Sequence, residues 1–297
     1  MKKSRLGVVI AAAAAGALLL AGCTTSGTTT KPRSGGTVTE AIVNDLTSLN
    51  SNTPQGNLDT NGQYAYLTNA TFQYPDNNFN VVANTDIGTY EKTSDSPLTV
   101  KYTLKSGAKW SDGQPITADD MVLAWAIASG HYDDATFDAD GNVTKGTQYF
   151  AIAGSTAGIN STAFPTVGDN NTSITLVYSQ PYVDWNLFSP IAQPAHIVAK
   201  KAGLSSAADL TKLLQGLPAG NPSSPVAPNA TLEAAAKFIN TGYDITSFPT
   251  DSDLLVSSGP WVLSAWTPGQ SLEFSLNPYY DGNLKPQIDK LVMRVIP

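Results

Sequence analysis

Residues 98–130 read LTVKYTLKSGAKWSDGQPITADDMVLAWAIASG. Leu98, Val100, Tyr102 and Leu104 alternate with Thr99, Lys101, Thr103 and Lys105, the period of two that sets every apolar side chain on one face of a half-buried strand. Ser106-Gly107 breaks the alternation and Asp112-Gly113 makes a tight turn. Thr117 then stands three residues before Asp120, the spacing at which a hydroxyl and a carboxylate cap one helix start. A helix is therefore predicted from Ala118, with Val122, Trp125 and Ala126 at helical spacing and Gly130 as its stop. Strand, turns and capped helix together point to an α/β chain.

Composition narrows the function. Lys and Arg number 17 against 24 Asp and Glu, a net charge of −7, and no basic cluster suits nucleic acid. Hydrophobic residues make up 41% of the 297, enough for a folded core in two domains or in part of a larger protein. The 24 Gly and 19 Pro, with abundant Thr, Asn and Ser, indicate many turns and strands.

At the front, Lys2, Lys3 and Arg5 precede an uncharged run from Leu6 to Gly22. This is the layout of a secretory signal, and the run is slightly short for a bilayer span of about 20 residues; a retained anchor helix is the alternative. Leu20-Ala21-Gly22-Cys23 resembles the bacterial lipobox, which implies cleavage after residue 22 and lipid modification of Cys23. Acyl chains at about 0.8 kcal/mol per buried methylene would hold the protein on the outer face of the membrane. Cys23 is the only cysteine, so no disulfide closes within the chain and Cys-based metal or redox motifs are excluded. Residues 24–36 (TTSGTTTKPRSGG) form a polar tether that cannot bury a core.

Further along, Thr37–Ile42 is predicted as the first strand. Residues 51–61 form a loop, Tyr64–Phe72 a short helix, and Ser173–Tyr178 a strand that ends at Gln180-Pro181-Tyr182. Leu204–Leu214 and Leu232–Ile239 are predicted helices capped by Ser205 or Ser206 and by Asn229. Asp133, Asp134, Asp138 and Asp140 superficially suggest a calcium loop, but counting from Asp138 puts Val143 where an EF-hand needs Gly. The segment is expected to be a solvated loop. Trp261–Leu276 alternates about a turn at Thr267-Pro268-Gly269-Gln270 and predicts a hairpin.

Two blocks carry a resemblance. Lys105-Ser-Gly-Ala-Lys-Trp110-Ser-Asp-Gly113-Gln-Pro115-Ile-Thr117-Ala-Asp-Asp120 resembles the signature of extracytoplasmic solute-binding proteins of family 5, the oligopeptide and dipeptide class of ABC importers. Ser258-Gly259-Pro260-Trp261, Trp266-Thr-Pro-Gly, Asn277-Pro278-Tyr279-Tyr280 and Ile288-Asp289 through Ile296-Pro297 resemble that family's G-P-Y, W-x-P-G, N-x-x-Y and I-D-x-I-x-x-x-x-I-P string. The strand end at Gln180-Pro181-Tyr182 is also similar to the family's, which implies a following helix with Trp185, Leu187 and Phe188 as its bulky face, bounded by Pro190. Gln193-Pro194-Ala195-His196-Ile197 is similar to its P-x-H-x step, and with no Ser, Cys or carboxylate pattern beside it His196 is expected to be structural rather than a base. Ala83-Asn84-Thr85-Asp86 departs from the family's Ala-Glu-Ser-Trp-like pattern at that point.

The resemblance implies a class II periplasmic-binding-protein-like fold, a mixed sheet with flanking helices. It divides the chain into a lipoprotein signal peptide (1–22), a tether (23–36), a first part of lobe I (37–75), an inserted subdomain (76–165) and a second part of lobe I (166–297). In relatives the chain crosses to a second lobe at the strand Leu291–Ile296, so the sequence is expected to hold lobe I and its insertion alone. The isolated chain is then expected to bind ligand poorly and to expose an apolar face. The extended segment after Ser48-Leu49-Asn50 lies along the ligand in relatives, which implies ligand contact by Gln55, Gly56 and Asn57; the residues alone fit a solvent loop equally well.

The implied function is capture of a peptide or related small solute between lobes, as a monomer that delivers to an ABC permease and ATPase complex. No catalysis, metal or cofactor is implied. A second reading keeps the fold and assigns envelope lipid or glycolipid assembly, as in some actinobacterial relatives. A third, an envelope hydrolase, finds little in the residues: Asp119-Asp120 are adjacent and one is a cap, so they cannot flank a glycosidic bond, and no Gly-x-Ser-x-Gly elbow, zinc motif, P-loop or dinucleotide fingerprint occurs.

Overall fold

The computed structural model describes residues 35–282 and 284–296; the expected signal peptide, Cys23 and the tether up to residue 34 lie outside them. Two four-stranded sheets organise what is described, beside small two-stranded pairs, one of them β2 (Gln73–Pro75) with β3 (Val81–Ala83). In the first, β1 (Thr37–Ile42) runs parallel to β12 (Lys290–Val295), and β12 pairs antiparallel with β11 (Ser271–Leu276), which pairs with β10 (Trp261–Thr267). The register from Thr37↔Lys290 to Ile42↔Val295 thus joins segments far apart in sequence. Leu272, Phe274, Leu291 and Met293 fill the buried face. β1 is a strand, but only its Ile42 is buried, because it lies at the sheet edge with β12 as its paired neighbour.

The second sheet has the order β4 (Gly88–Asp95), β5 (Leu98–Leu104), β9 (Ser173–Val177), β8 (Thr166–Gly168). β5 follows its sequence pattern residue by residue: Leu98, Val100, Tyr102 and Leu104 are buried and the residues between them are not. Val100 faces Leu176 and Tyr102 faces Ile174 across the ladder, so the two alternations share one apolar face. Strands from both sides of residue 165 therefore belong to one sheet.

Helix α1 occupies Asp59–Thr68, earlier than the expected Tyr64–Phe72. Its start is held from outside the helix, where the Thr60 hydroxyl donates to Asn44 O at 2.8 Å and Asn61 Oδ1 accepts from Thr47 N at 3.0 Å. Phe72 leaves the helix to pack edge-on against Tyr102, with ring centroids 5.4 Å apart. Helix α2 spans Ala118–Ser129 with the predicted capping box, Thr117 N donating to Asp120 Oδ2 at 2.8 Å, and Gly130 closes it with φ 62°. Every residue of α2 except Ala128 is buried. The expected single stripe is therefore a helix covered on all sides, and residues 121–128 are all apolar for that reason.

The remaining helices are α3 (Ala195–Lys201), α4 (Ala207–Gly216) and α5 (Ala230–Thr241). Ser206 caps α4, its Oγ accepting from Asp209 N, and Asn229 caps α5, its Oδ1 accepting from Leu232 N at 2.9 Å. No helix carries Trp185, Leu187 and Phe188; residues 181–194 are irregular. Pro181 and Pro190 leave too few residues between them to nucleate a stable helix. Trp185 packs edge-on against Tyr90 and Phe188 against Tyr102 instead. The expected Asp-rich loop is partly ordered as a hairpin of β6 (Thr136–Phe137) and β7 (Val143–Lys145). At its tip Asp138 Oδ1 accepts from Asp140 N and Asn142 N at 2.9 Å each.

Candidate ligand-binding site

The loop between β1 and α1 is held from several sides by backbone hydrogen bonds. Asn50 Nδ2 donates to Ile239 O at 3.0 Å, and its Oδ1 accepts from Asn52 N at 3.1 Å. Asn52 O accepts from Ala153 N at 2.7 Å, and the segment before Ala153 is fixed by Asn240, which bonds Tyr149 O and Ala151 N. On the other side, Phe72 N donates to Ser189 Oγ at 3.1 Å. Asn50, which is buried, and Asn240, which is half-buried, satisfy backbone groups and make a rigid framework, since each bond lost would leave a polar group without that partner.

Two hollows open on this framework. The first, about 460 Å³, lies between the 51–57 loop, the α2 side chains Ala124, Ile127 and Ala128, the 152–154 segment, and Phe188 to Ala192. The second, about 500 Å³, is lined by α1 through Ala65, Tyr66 and Leu67, and by Asn69, Thr71, Tyr74, Asn84, Trp261 and Tyr280. Ser51, Asn52, Ser189 and Ile191 belong to both walls, so the hollows are neighbours across one ridge. Their size is that of small-molecule sites. Among the described residues that line them, none is charged.

The residues expected to touch ligand divide. Asn57 is exposed and lines the first hollow. Gln55 is exposed and lines neither. Gly56 is buried, its N–H donating to Thr53 Oγ1 at 3.0 Å and its C=O accepting from Asn61 Nδ2 at 2.9 Å. Both backbone groups of Gly56 thus hold the loop shape. Sequence reasoning missed Asn52, Tyr66, Asn69, Ile191 and Trp261, which come from separate elements and carry no shared motif.

His196 lines neither hollow. Its Nε2 lies 2.8 Å from Asp112 Oδ2 and its ring meets Trp110 edge-on at 6.4 Å, pinning α3 to the Asp112-Gly113 turn. Beneath it, burial pushes the Asp120 carboxyl up to about 6, against the opposing pull of hydrogen bonds from Thr117 and Ala195. Among the described residues, no three His, Cys, Asp or Glu side chains gather as a metal site, and no helix is long and apolar enough to cross a membrane.

Residues 84–297 match the family model of bacterial extracellular solute-binding proteins, family 5, middle region. An uncharacterized lipoprotein of Mycobacterium leprae is 27% identical over 264 residues, which are 88% of this chain and 42% of that protein. The periplasmic EDTA-binding protein EppA superposes with a TM-score of 0.65 at 22% identity, over 90% of this chain and 40% of its own. The oligopeptide-binding protein AppA from Bacillus subtilis, solved with a nonapeptide, gives 0.58 at 17% identity, over 90% and 41%. The chain spans less than half the length of each of these proteins.

Proposed function

The chain belongs to family 5 of the bacterial extracellular solute-binding proteins, and on that premise we propose that it captures a peptide or related small solute outside the cytoplasm for an ABC importer. The solute sits in a cleft between lobes, and the ridge of Ser51, Asn52, Ser189 and Ile191 with its two hollows forms part of one wall. Capture requires closure about a hinge and no bond chemistry. Cys23 carries the lipid that keeps the monomer at the membrane, where the permease and ATPase complex receives the solute. Asn57 contacts the ligand directly, while Gly56 supports the loop that presents it. The β4-β5-β9-β8 sheet with α2 forms the inserted subdomain, which then extends past the expected bound at residue 165 to take in β8 and β9, and the β1-β12-β11-β10 sheet forms lobe I.

The observation that carries this reading is the pair of hollows, built on a hydrogen-bonded loop rather than on a free one. Native mass spectrometry of the full-length protein purified from its own envelope should reveal a co-purifying small solute. Uptake of that solute should fall when the gene is deleted and return with the wild-type gene. A protein that arrives empty and gains no thermal stability from peptide pools overturns the reading.

A further inference from the structure

Among the described residues, those that line the two hollows are uncharged, and the way their polarity is arranged restricts what they can hold. On the α2 side, Ala124, Ile127 and Ala128 sit at helical spacing against Ala153 and Ile152, a surface of small and aliphatic groups that offers an incoming charge no partner. On the α1 side, hydroxyls and amides, chiefly Tyr66, Asn69 and Asn84, stand among the apolar groups of Ala65, Leu67 and Trp261. Tyr66 is 69% exposed there, so its ring and hydroxyl stand open to the second hollow.

Carboxylates close to these walls in sequence have partners of their own. Asp59 takes both hydrogen bonds of the Asn44 amide at 3.1 and 3.2 Å, and Asp86 accepts from the Tyr280 hydroxyl at 2.6 Å and from Leu284 N at 3.1 Å. A charged ligand group placed on these walls would lose hydration without gaining a counter-ion from them, and a buried charge without a partner is strongly unfavourable. Selection against charge is therefore built into the walls.

We infer that the part of the ligand seated on these residues is uncharged and amphipathic, with an apolar segment over Ala124, Ile127 and Ala128 and neutral hydrogen-bonding groups toward Tyr66 and Asn69. This rests on the solute-capture reading and names the ligand chemistry of that same site.

The test uses the full-length protein and two probe families, with dissociation constants measured by calorimetry. One is the blocked peptide acetyl-Leu-Ala-Ser-Gln-amide beside versions carrying Lys for Leu or Glu for Gln. The other is hexanoyl glucamide beside hexanoate and hexylamine. In at least one family the neutral probe should bind at least tenfold more tightly than its charged counterparts. Asn52→Asp, an exposed position on the shared ridge, should weaken the neutral probe and tighten the lysine peptide or hexylamine relative to wild type. Charged probes that bind as tightly as neutral ones overturn the inference and leave solute capture standing. Binding of the glucamide without any peptide supports the inference and removes peptides from the proposed function. If no probe binds while a co-purified solute does, the charge of that solute decides: a neutral amphiphile supports the inference and an ion overturns it. No solute of any kind overturns both.

Discussion

One oxygen of the Asp120 carboxylate lies 2.8 Å from the backbone nitrogen of Ala195, so a side chain in the first turn of α2 holds the first residue of α3. The other oxygen accepts from Thr117 N at 2.8 Å. An amide side chain has a single acceptor, so Asp120→Asn should leave one of these buried N–H groups without a partner and destabilise the fold by about 1–3 kcal/mol. Burial raises the Asp120 carboxyl from 3.8 to about 6, so between those values the folded state binds more proton than the unfolded chain. Its contribution to stability is then fully present below 3.8 and is lost as pH rises toward about 6. Asn has no such dependence. Urea denaturation should show a wider gap between wild type and Asp120→Asn at pH 4 than at pH 7, and an equal gap would show that the carboxyl titrates normally.

Trp110 is 1% exposed and packs edge-on against His196. It lines neither hollow, so the signature block marks the fold rather than the ligand. Trp110→Ala should cost about 3–5 kcal/mol and leave solute affinity within about twofold at a temperature where the variant is folded. Calorimetric melting paired with titration of the co-purified solute checks this. Unchanged stability with altered ligand choice would put Trp110 in the binding site.

The sequence was most legible where one local rule decided the outcome. β5, the Thr117-Asp120 cap, the Gly130 stop and the Ser206 and Asn229 caps depend on residues within a turn of one another. It was least legible where distant contacts overrode local preference. α1 begins at Asp59 because Asn44 and Thr47 reach it from the preceding loop, and the 181–194 segment gives up helix for aromatic contacts with Tyr90 and Tyr102. The candidate site belongs to the second kind. Asn57 was expected through resemblance and lines the first hollow, whereas Asn52, Ile191 and Trp261 meet only because separate elements converge.

The lipid anchor proposed at Cys23 can be tested apart from the fold. Wild-type protein should take up labelled palmitate and fractionate with membranes, and Cys23→Ser should abolish the label and move most of the protein to the soluble fraction. A Cys23→Ser protein that stays with the membrane would favour an uncleaved apolar run over residues 6–22 as the anchor.

The loop that presents Asn57 depends on a glycine for space rather than for backbone conformation. A methyl group on Gly56 would overlap the carbonyl oxygen of Asn50 and crowd Thr53 Oγ1, and Asn50 in turn is bonded to Ile239 O and Asn52 N. Gly56→Ala therefore has to move the loop or the framework beneath it, at about 1–3 kcal/mol. Either movement displaces Asn52 and Asn57 from the first hollow. Asn57→Ala, at an exposed position, should change stability by less than about 0.5 kcal/mol while weakening the co-purified solute. Denaturation and titration of both variants separate the roles. Gly56→Ala should lose stability and affinity together, and Asn57→Ala should lose affinity alone. Full affinity in both would place the ligand away from this loop.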